Sequence, residues 1–130
     1  MRLLLDTHVL LWAHVDPERL GRGRQLLLDP SHELLLSAAS AWEIAIKVAI
    51  GRLSLPEPAA RWVPSRTAAM GAASVPVAQE QALAVADLPA VHRDPFDRLL
   101  VAQARALGAT LLSADPVFAR YPVDLVDPRA

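Results

Sequence analysis

The sequence predicts a single α/β domain over residues 1–130 with a mainly parallel sheet, and three observations carry that expectation. Short unbroken apolar runs recur at Leu3-Leu4-Leu5, Leu34-Leu35-Leu36 and Leu111-Leu112, as in strands buried on both faces. Each run stops at a polar or acidic residue: Asp6, Ser37 and Ser113. Helix signals fill the segments between them, with no repeat, low-complexity tract or linker, so one layered domain is the economical solution.

In chain order, Leu3–Leu5 is the expected first strand, and Thr7 to Val15 a short helix. Asp16-Pro17 opens a second helix or turn with Pro at its first position. Gly21 and Gly23 weaken that helix, and Arg19, Arg22 and Arg24 form the densest basic cluster, best read as a solvated face. Glu33–Ser37 is the next strand. The helix from about Ala38 to Ile50 is apolar except for Ser40, Glu43 and Lys47, which lie three and four apart and form one polar stripe on an otherwise buried helix. Gly51 stops it. Pro56 and Pro58 mark a loop, and Pro64 argues against an unbroken helix over Ala59 to Met70. Ala73–Val77 is a short strand placed near an edge by Pro76, and Gln79–Asp87 a short helix. Pro95–Leu107 is the clearest helix, with Asp94 as cap, Pro95 at the first position and Gly108 at the end. Thr110–Ser113 and Val123–Val126 complete the sheet.

Composition narrows the class. With 130 residues, 53% of them hydrophobic, the chain has material for one large core, and disorder is not expected. No cysteine is present, which excludes disulfides and thiolate zinc sites and points to a reducing, cytoplasmic setting. Asp6 interrupts the first apolar run too early for a signal peptide. The longest stretch without a charged residue or histidine, Thr67–Gln79, contains Gly71 and Pro76, so no membrane span is expected. Net charge is −1, so the chain would not hold nucleic acid by its bulk field and would need bound metal or a basic partner.

The acidic residues carry the chemistry. Asp6 stands at the carboxyl end of a central strand, where open α/β sheets place ligands; the competing reading is a cap for the following helix. Asp-Pro occurs five times, a routine turn signal that discounts Asp94 and Asp115. Asp94 and Asp97 have capping-box spacing, and so do Ser40 and Glu43, while Glu43 and Lys47 form an i,i+4 pair. Position argues for more. Asp97 shares a helix side with Leu100, Ala104 and Gly108, the side turned to the sheet, where a carboxylate is costly unless paired or metal-bound. Asp6 and Asp115 both end apolar strands. Four acids, Asp6, Glu43, Asp97 and Asp115, are thus expected to converge at one end of the sheet. Close carboxylates repel, and a hard divalent cation such as Mg²⁺ or Mn²⁺ relieves the conflict. Such an ion polarises a phosphodiester and acidifies attacking water. Thr7, Asp94 and Ser113 are the supporting residues, and Arg93 and Arg98 the candidates for substrate phosphate.

Several look-alikes fail. His92-Arg93-Asp94 echoes a kinase catalytic loop, but the downstream Asn is missing and the chain is too short. The four histidines lack zinc spacing. Asp6-Thr7-His8 lacks the second Asp of haloacid-dehalogenase-type phosphatases, and no adjacent acidic pair marks a phospho-receiver.

The blocks LLLDTHVLLW (3–12), SAASAWEIAIKVAIGRLSLP (37–56), LPAVHRDPFDRLLVAQA (88–104) and LLSADPVFARYPV (111–123) together resemble PIN-domain ribonucleases, specifically the VapC-type toxins of bacterial toxin–antitoxin pairs. The resemblance covers nearly the whole chain, and the third block is its most specific part. It implies a three-layer α/β/α fold with four to five strands and Mg²⁺- or Mn²⁺-dependent cleavage of RNA. It also implies Asp6 and Asp97 as principal metal ligands, with Glu43 and Asp115 acting directly or through water. A homodimer and a cognate antitoxin follow from it too, with DNA reached only through the antitoxin. The stretch 59–72 departs from it, because Pro64 interrupts an expected helix. Trp12 and Trp62, in expected surface helices, suggest association through residues 10–28 and 44–70. A housekeeping RNA-processing PIN nuclease and a non-catalytic acidic metal-binding module are the competing functions.

Overall fold

Leu3, Leu4 and Leu5 are completely buried because strand β1 (Arg2–Leu5) runs through the middle of a five-stranded sheet. The computed structural model describes residues 1–129. After β1 come α1 (Thr7–Val15), a 3₁₀ turn (Pro17–Leu20), α2 (Gly23–Leu28), β2 (Glu33–Ser37), α3 (Ala38–Ala49) and α4 (Ala59–Ala69). They are followed by β3 (Ala73–Val75), α5 (Gln79–Ala84) with a 3₁₀ turn (Val85–Asp87), α6 (Pro95–Leu107), β4 (Thr110–Leu112), a 3₁₀ turn (Pro116–Arg120) and β5 (Leu125–Val126). The strand order is β3-β2-β1-β4-β5, and every pairing is parallel. The chain steps outward from β1 through β2 to β3, then crosses back to build β4 and β5 on the other side. Both flanks of β1 are therefore filled by strands reached through different crossovers, and the carboxyl end of β1 lies at the point where the winding reverses.

Alternation along the strands divides the core in two. Leu3, Leu5, Leu34, Leu36 and Leu112 pack with Val9, Leu10, Ile44 and Trp62 of α1, α3 and α4. Leu4, Leu35 and Leu111 face the other way, onto Leu100, Val101 and Ala104 of α6 and onto Phe118. This is the expected arrangement of helices on both faces of the sheet. Pro76 follows β3, which is an edge strand as anticipated.

Four local expectations are corrected. Helix α4 runs straight through Pro64. Proline removes one amide and crowds the preceding turn, yet Trp62, Val63 and Thr67 are buried along the same helix, and the Thr67 hydroxyl donates to the Val63 carbonyl at 2.6 Å. Trp62 accordingly belongs to the core and not to the surface, so it does not support association. Gly21 and Gly23 do not merely weaken a helix: they separate the 3₁₀ turn from α2, and the Gly23 amide donates to the Pro128 carbonyl at 2.6 Å, an approach that a side chain there would block. On α3 the polar stripe is not the exposed one. Ser40 and Glu43 are buried, while Trp42 and Ile50 stand in solvent.

Candidate active site

Asp6 follows β1 directly, and its amide donates to the Leu112 carbonyl at 3.0 Å, extending the pairing of β1 with β4 by one step. It occupies the cap position of α1, but its carboxylate makes no cap hydrogen bond. Instead Ser113, just past β4, donates its hydroxyl to Asp6 Oδ2 at 2.7 Å. The residue is only 5% exposed. Burial raises its pKa above the ordinary value; the Ser113 hydrogen bond and nearby His8 pull it down, and the Glu43 carboxylate pushes it up. The His8 ring stands 4.0 Å from Asp6 Oδ2.

Glu43 reaches the same place from the buried side of α3, with Lys47 one turn on at 3.0 Å from its Oε2. Asp97 enters from the first turn of α6. Its Oδ2 lies 2.9 Å from His92 Nε2, on the loop before the helix. Burial raises the Asp97 carboxyl to about 6; the His92 contact opposes the rise, and the charges of Asp94 and Asp6 add to it. Asp6 thus senses Glu43, and Asp97 senses Asp6, so three of the four expected acids act on one another electrostatically.

Asp115 sits differently. It is exposed, and its carboxylate caps the 3₁₀ turn by accepting from the Val117 amide at 3.0 Å. Its link to the others runs through Ser113, whose Oγ accepts from the Asp115 amide at 3.1 Å while donating to Asp6. Asp94 caps α6, accepting from the amides of Phe96 and Asp97 at 2.9 and 3.2 Å. Asp94→Ala is expected to cost about 1 kcal/mol of stability, the usual contribution of a cap, as thermal melting would read. Thr7 and Ser40 are buried, and their hydroxyls have no partner among the described residues.

The arginines separate. Arg93 is exposed. Arg98, the other candidate for phosphate, turns inward and donates to the carbonyls of Pro89 at 2.9 Å and Val85 at 3.0 Å, with longer contacts to His92 and Leu88. It fastens the loop that carries His92, and its donors are engaged with that loop's carbonyls. His92 has no spacing to the other histidines that marks it, because a loop folding back over the start of α6 obeys no such rule. The one signal was its position just before an Asp-Pro helix start.

The donor set suits a hard divalent cation. All three carboxylates offer oxygen, as Mg²⁺ and Mn²⁺ prefer, and the unpartnered hydroxyls of Thr7 and Ser40 are next to Asp6 and one turn before Glu43. Among the described residues, His92, Asp94 and Asp97 form the one group whose ligand atoms all lie within 4.8 Å of each other. An ion held between Asp6 and Asp97 would offset the burial that raises both carboxyls and the charge that Asp6 exerts on Asp97.

The raised Asp97 carboxyl has a measurable consequence for the metal-free protein. The folded state holds this proton more tightly than the unfolded chain, whose value is 3.8, so its contribution to stability is complete below that pH and is lost as pH rises to about 6. A shift of this size corresponds to at most about 3 kcal/mol, reduced by solvent screening at this half-buried group. Melting scans in EDTA from about pH 4 to about pH 7 should show wild type losing stability relative to Asp97→Asn across that window.

A fully parallel five-stranded sheet with helices on both faces and carboxylates gathered beyond its central strand defines the class, a three-layer α/β/α domain with an acidic cluster. Residues 3–124 match the family described as PIN domain, and the chain belongs to that family. It is 30% identical over 114 residues to Ribonuclease VapC22 of Mycobacterium tuberculosis (strain ATCC 25618 / H37Rv), covering 87% of this chain and 86% of that protein. It is 46% identical over 54 residues to Ribonuclease VapC16 of the same strain, a match spanning 42% of this chain and only 38% of that protein. Its fold is similar to that in the crystal structure of VapBC2 from Rickettsia felis bound to a DNA fragment from their promoter, with a TM-score of 0.73 at 17% identity over 97% of this chain and 98% of that one.

Proposed function

We propose that this protein is an Mg²⁺- or Mn²⁺-dependent endoribonuclease and the toxin of a type II toxin–antitoxin pair. In this reading it is cytoplasmic, forms a homodimer, is restrained by a cognate antitoxin, and meets DNA only through that antitoxin. The observation that carries the reading is the buried Asp6 carboxylate. It caps nothing, is held by Ser113, and shares a field with Glu43 and Asp97. The similarity to Ribonuclease VapC22 along most of both chains supports the ribonuclease part. The blocks shared with VapC-type toxins, and the fold likeness to the VapBC2 complex, support the antitoxin part.

Asp6 and Asp97 are the proposed metal ligands, with Glu43 and Asp115 acting directly or through water. The chemistry such an ion supplies when bound is charge neutralisation at the phosphodiester and acidification of the attacking water. The chain's own residues do the positioning. Ser113 fixes one oxygen of Asp6, His92 one oxygen of Asp97 and Lys47 one oxygen of Glu43. Such outer partners orient ligands and tune them. Arg93, exposed beside His92, is the proposed contact for substrate phosphate. Incubating the purified protein with a mixed RNA pool tests the reading: cleavage with Mg²⁺ or Mn²⁺ and none in excess EDTA is expected, and cleavage undiminished by EDTA would overturn it.

A further inference from the structure

Trp42 is 62% exposed, although it is among the largest apolar side chains in a chain with only 5% aromatic residues. The other two tryptophans are differently used. Trp62 is buried, and Trp12 is partly covered by the Arg19 guanidinium at 4.6 Å. Trp42 is not loose on the surface. Phe96 meets it edge to face, with ring centroids 5.2 Å apart and planes at 65°. Of its neighbours one turn away on α3, Ala38 and Ala45 are exposed and short, and the indole stays mostly in solvent beside the partly buried Ile46. Trp42 precedes Glu43, and Phe96 precedes Asp97. The aromatic pair therefore joins α3 to α6 where those helices deliver two of the site's carboxylates.

We propose that Trp42, braced by Phe96, is a stacking platform for an unpaired nucleobase of the RNA flanking the bond to be cut. This rests on the endoribonuclease reading above. Three observations favour a base over another occupant. The site is acidic and the chain's net charge is −1, so phosphate finds little attraction beyond the cation and the single exposed Arg93 beside it. Arg98, the basic residue on α6 nearest the carboxylates, is engaged with loop carbonyls. Stacking supplies affinity that does not depend on charge and tolerates any base, because every base presents a π face. It also selects single-stranded RNA, since bases within a duplex are already stacked on each other.

The test follows Trp42→Ala and Trp42→Tyr alongside wild type. Cleavage of a mixed-sequence single-stranded oligoribonucleotide with Mg²⁺ should show KM raised about ten-fold in Trp42→Ala, within the range of one stacked base. Its kcat should stay within about two-fold, and Trp42→Tyr should restore most of the KM. Indole fluorescence should be quenched by the same oligonucleotide in wild type and not in Trp42→Tyr, while a fully paired RNA hairpin quenches neither. Wild-type cleavage with an unchanged KM in Trp42→Ala and no quenching would overturn the platform and leave the nuclease reading standing. Neither cleavage nor quenching by wild type would remove both. If fluorescence changes on dilution without RNA, and light scattering shows that Trp42→Ala alone is monomeric, Trp42 is a contact between copies of the chain and the platform is likewise overturned.

Discussion

Asp97→Asn is expected to abolish RNA cleavage while leaving the metal-free protein as stable as wild type or more so. The two effects have opposite physical origins. A ligand carboxylate contributes negative charge that an isosteric amide does not replace, and even outer partners of ligands cost 10–100-fold when removed, so a loss above about 100-fold is expected here. Without metal, the same charge is a liability. It is half-buried, it feels the charges of Asp94 and Asp6, and its carboxyl is raised to about 6 in consequence. The amide relieves that repulsion, so the melting temperature at neutral pH should hold or rise in EDTA. Rates and melting curves for Asp94→Ala and Asp97→Asn measured side by side separate the two roles. If Asp94→Ala stopped cleavage while Asp97→Asn kept the wild-type rate, the roles would be reversed.

Arg98→Met should be the most damaging change outside the apolar core, at about 3 kcal/mol, the scale for hydrogen bonds from a charged donor whose loss leaves acceptors unmet. For a chain of this length that is a fall in melting temperature of roughly 10 °C. The guanidinium ties together the carbonyls of Val85, Leu88, Pro89 and His92, and its Nη1 also lies 3.4 Å from the Tyr121 hydroxyl. Methionine keeps the stem and removes every donor. Arg98→Lys should recover little, because an ammonium cannot fork toward several carbonyls at fixed angles. The loop so fastened also presents His92 to Asp97, so cleavage should fall by about 10-fold or more, as for loss of a ligand's outer partner. A melting temperature within about 2 °C of wild type would show that the loop holds without Arg98.

The fold was readable because its strands are short apolar runs that a parallel sheet buries on both sides, and because Asp94, Pro95 and Gly108 punctuate α6 without ambiguity. The placement of Asp6 was readable for the same reason, since a charge ends such a run only where the strand leaves the core. Periodicity alone misjudged α3. It identified the stripe of Ser40 and Glu43 but not the side it faces, because a helix that turns its polar stripe toward a buried acidic cluster leaves apolar residues such as Trp42 outside. Pro64 misled because a local penalty was outweighed by the burial of Trp62 and Val63. Asp115 follows an apolar strand as Asp6 does, but its carboxylate caps the next turn, and a strand-end position does not distinguish the two. The contacts of His92 and Arg98 join a loop to a helix start, and no spacing rule announces them.

The most direct measurement is calorimetric titration of Mn²⁺ into wild type and Asp6→Asn at neutral pH, with circular dichroism to show that both are folded. If the carboxylates beyond β1 form a cation site, wild type binds Mn²⁺ saturably and Asp6→Asn loses at least about 10-fold in affinity with its fold intact. Equal binding by the two proteins would contradict a metal centre at Asp6, and with it the mechanism proposed for this chain.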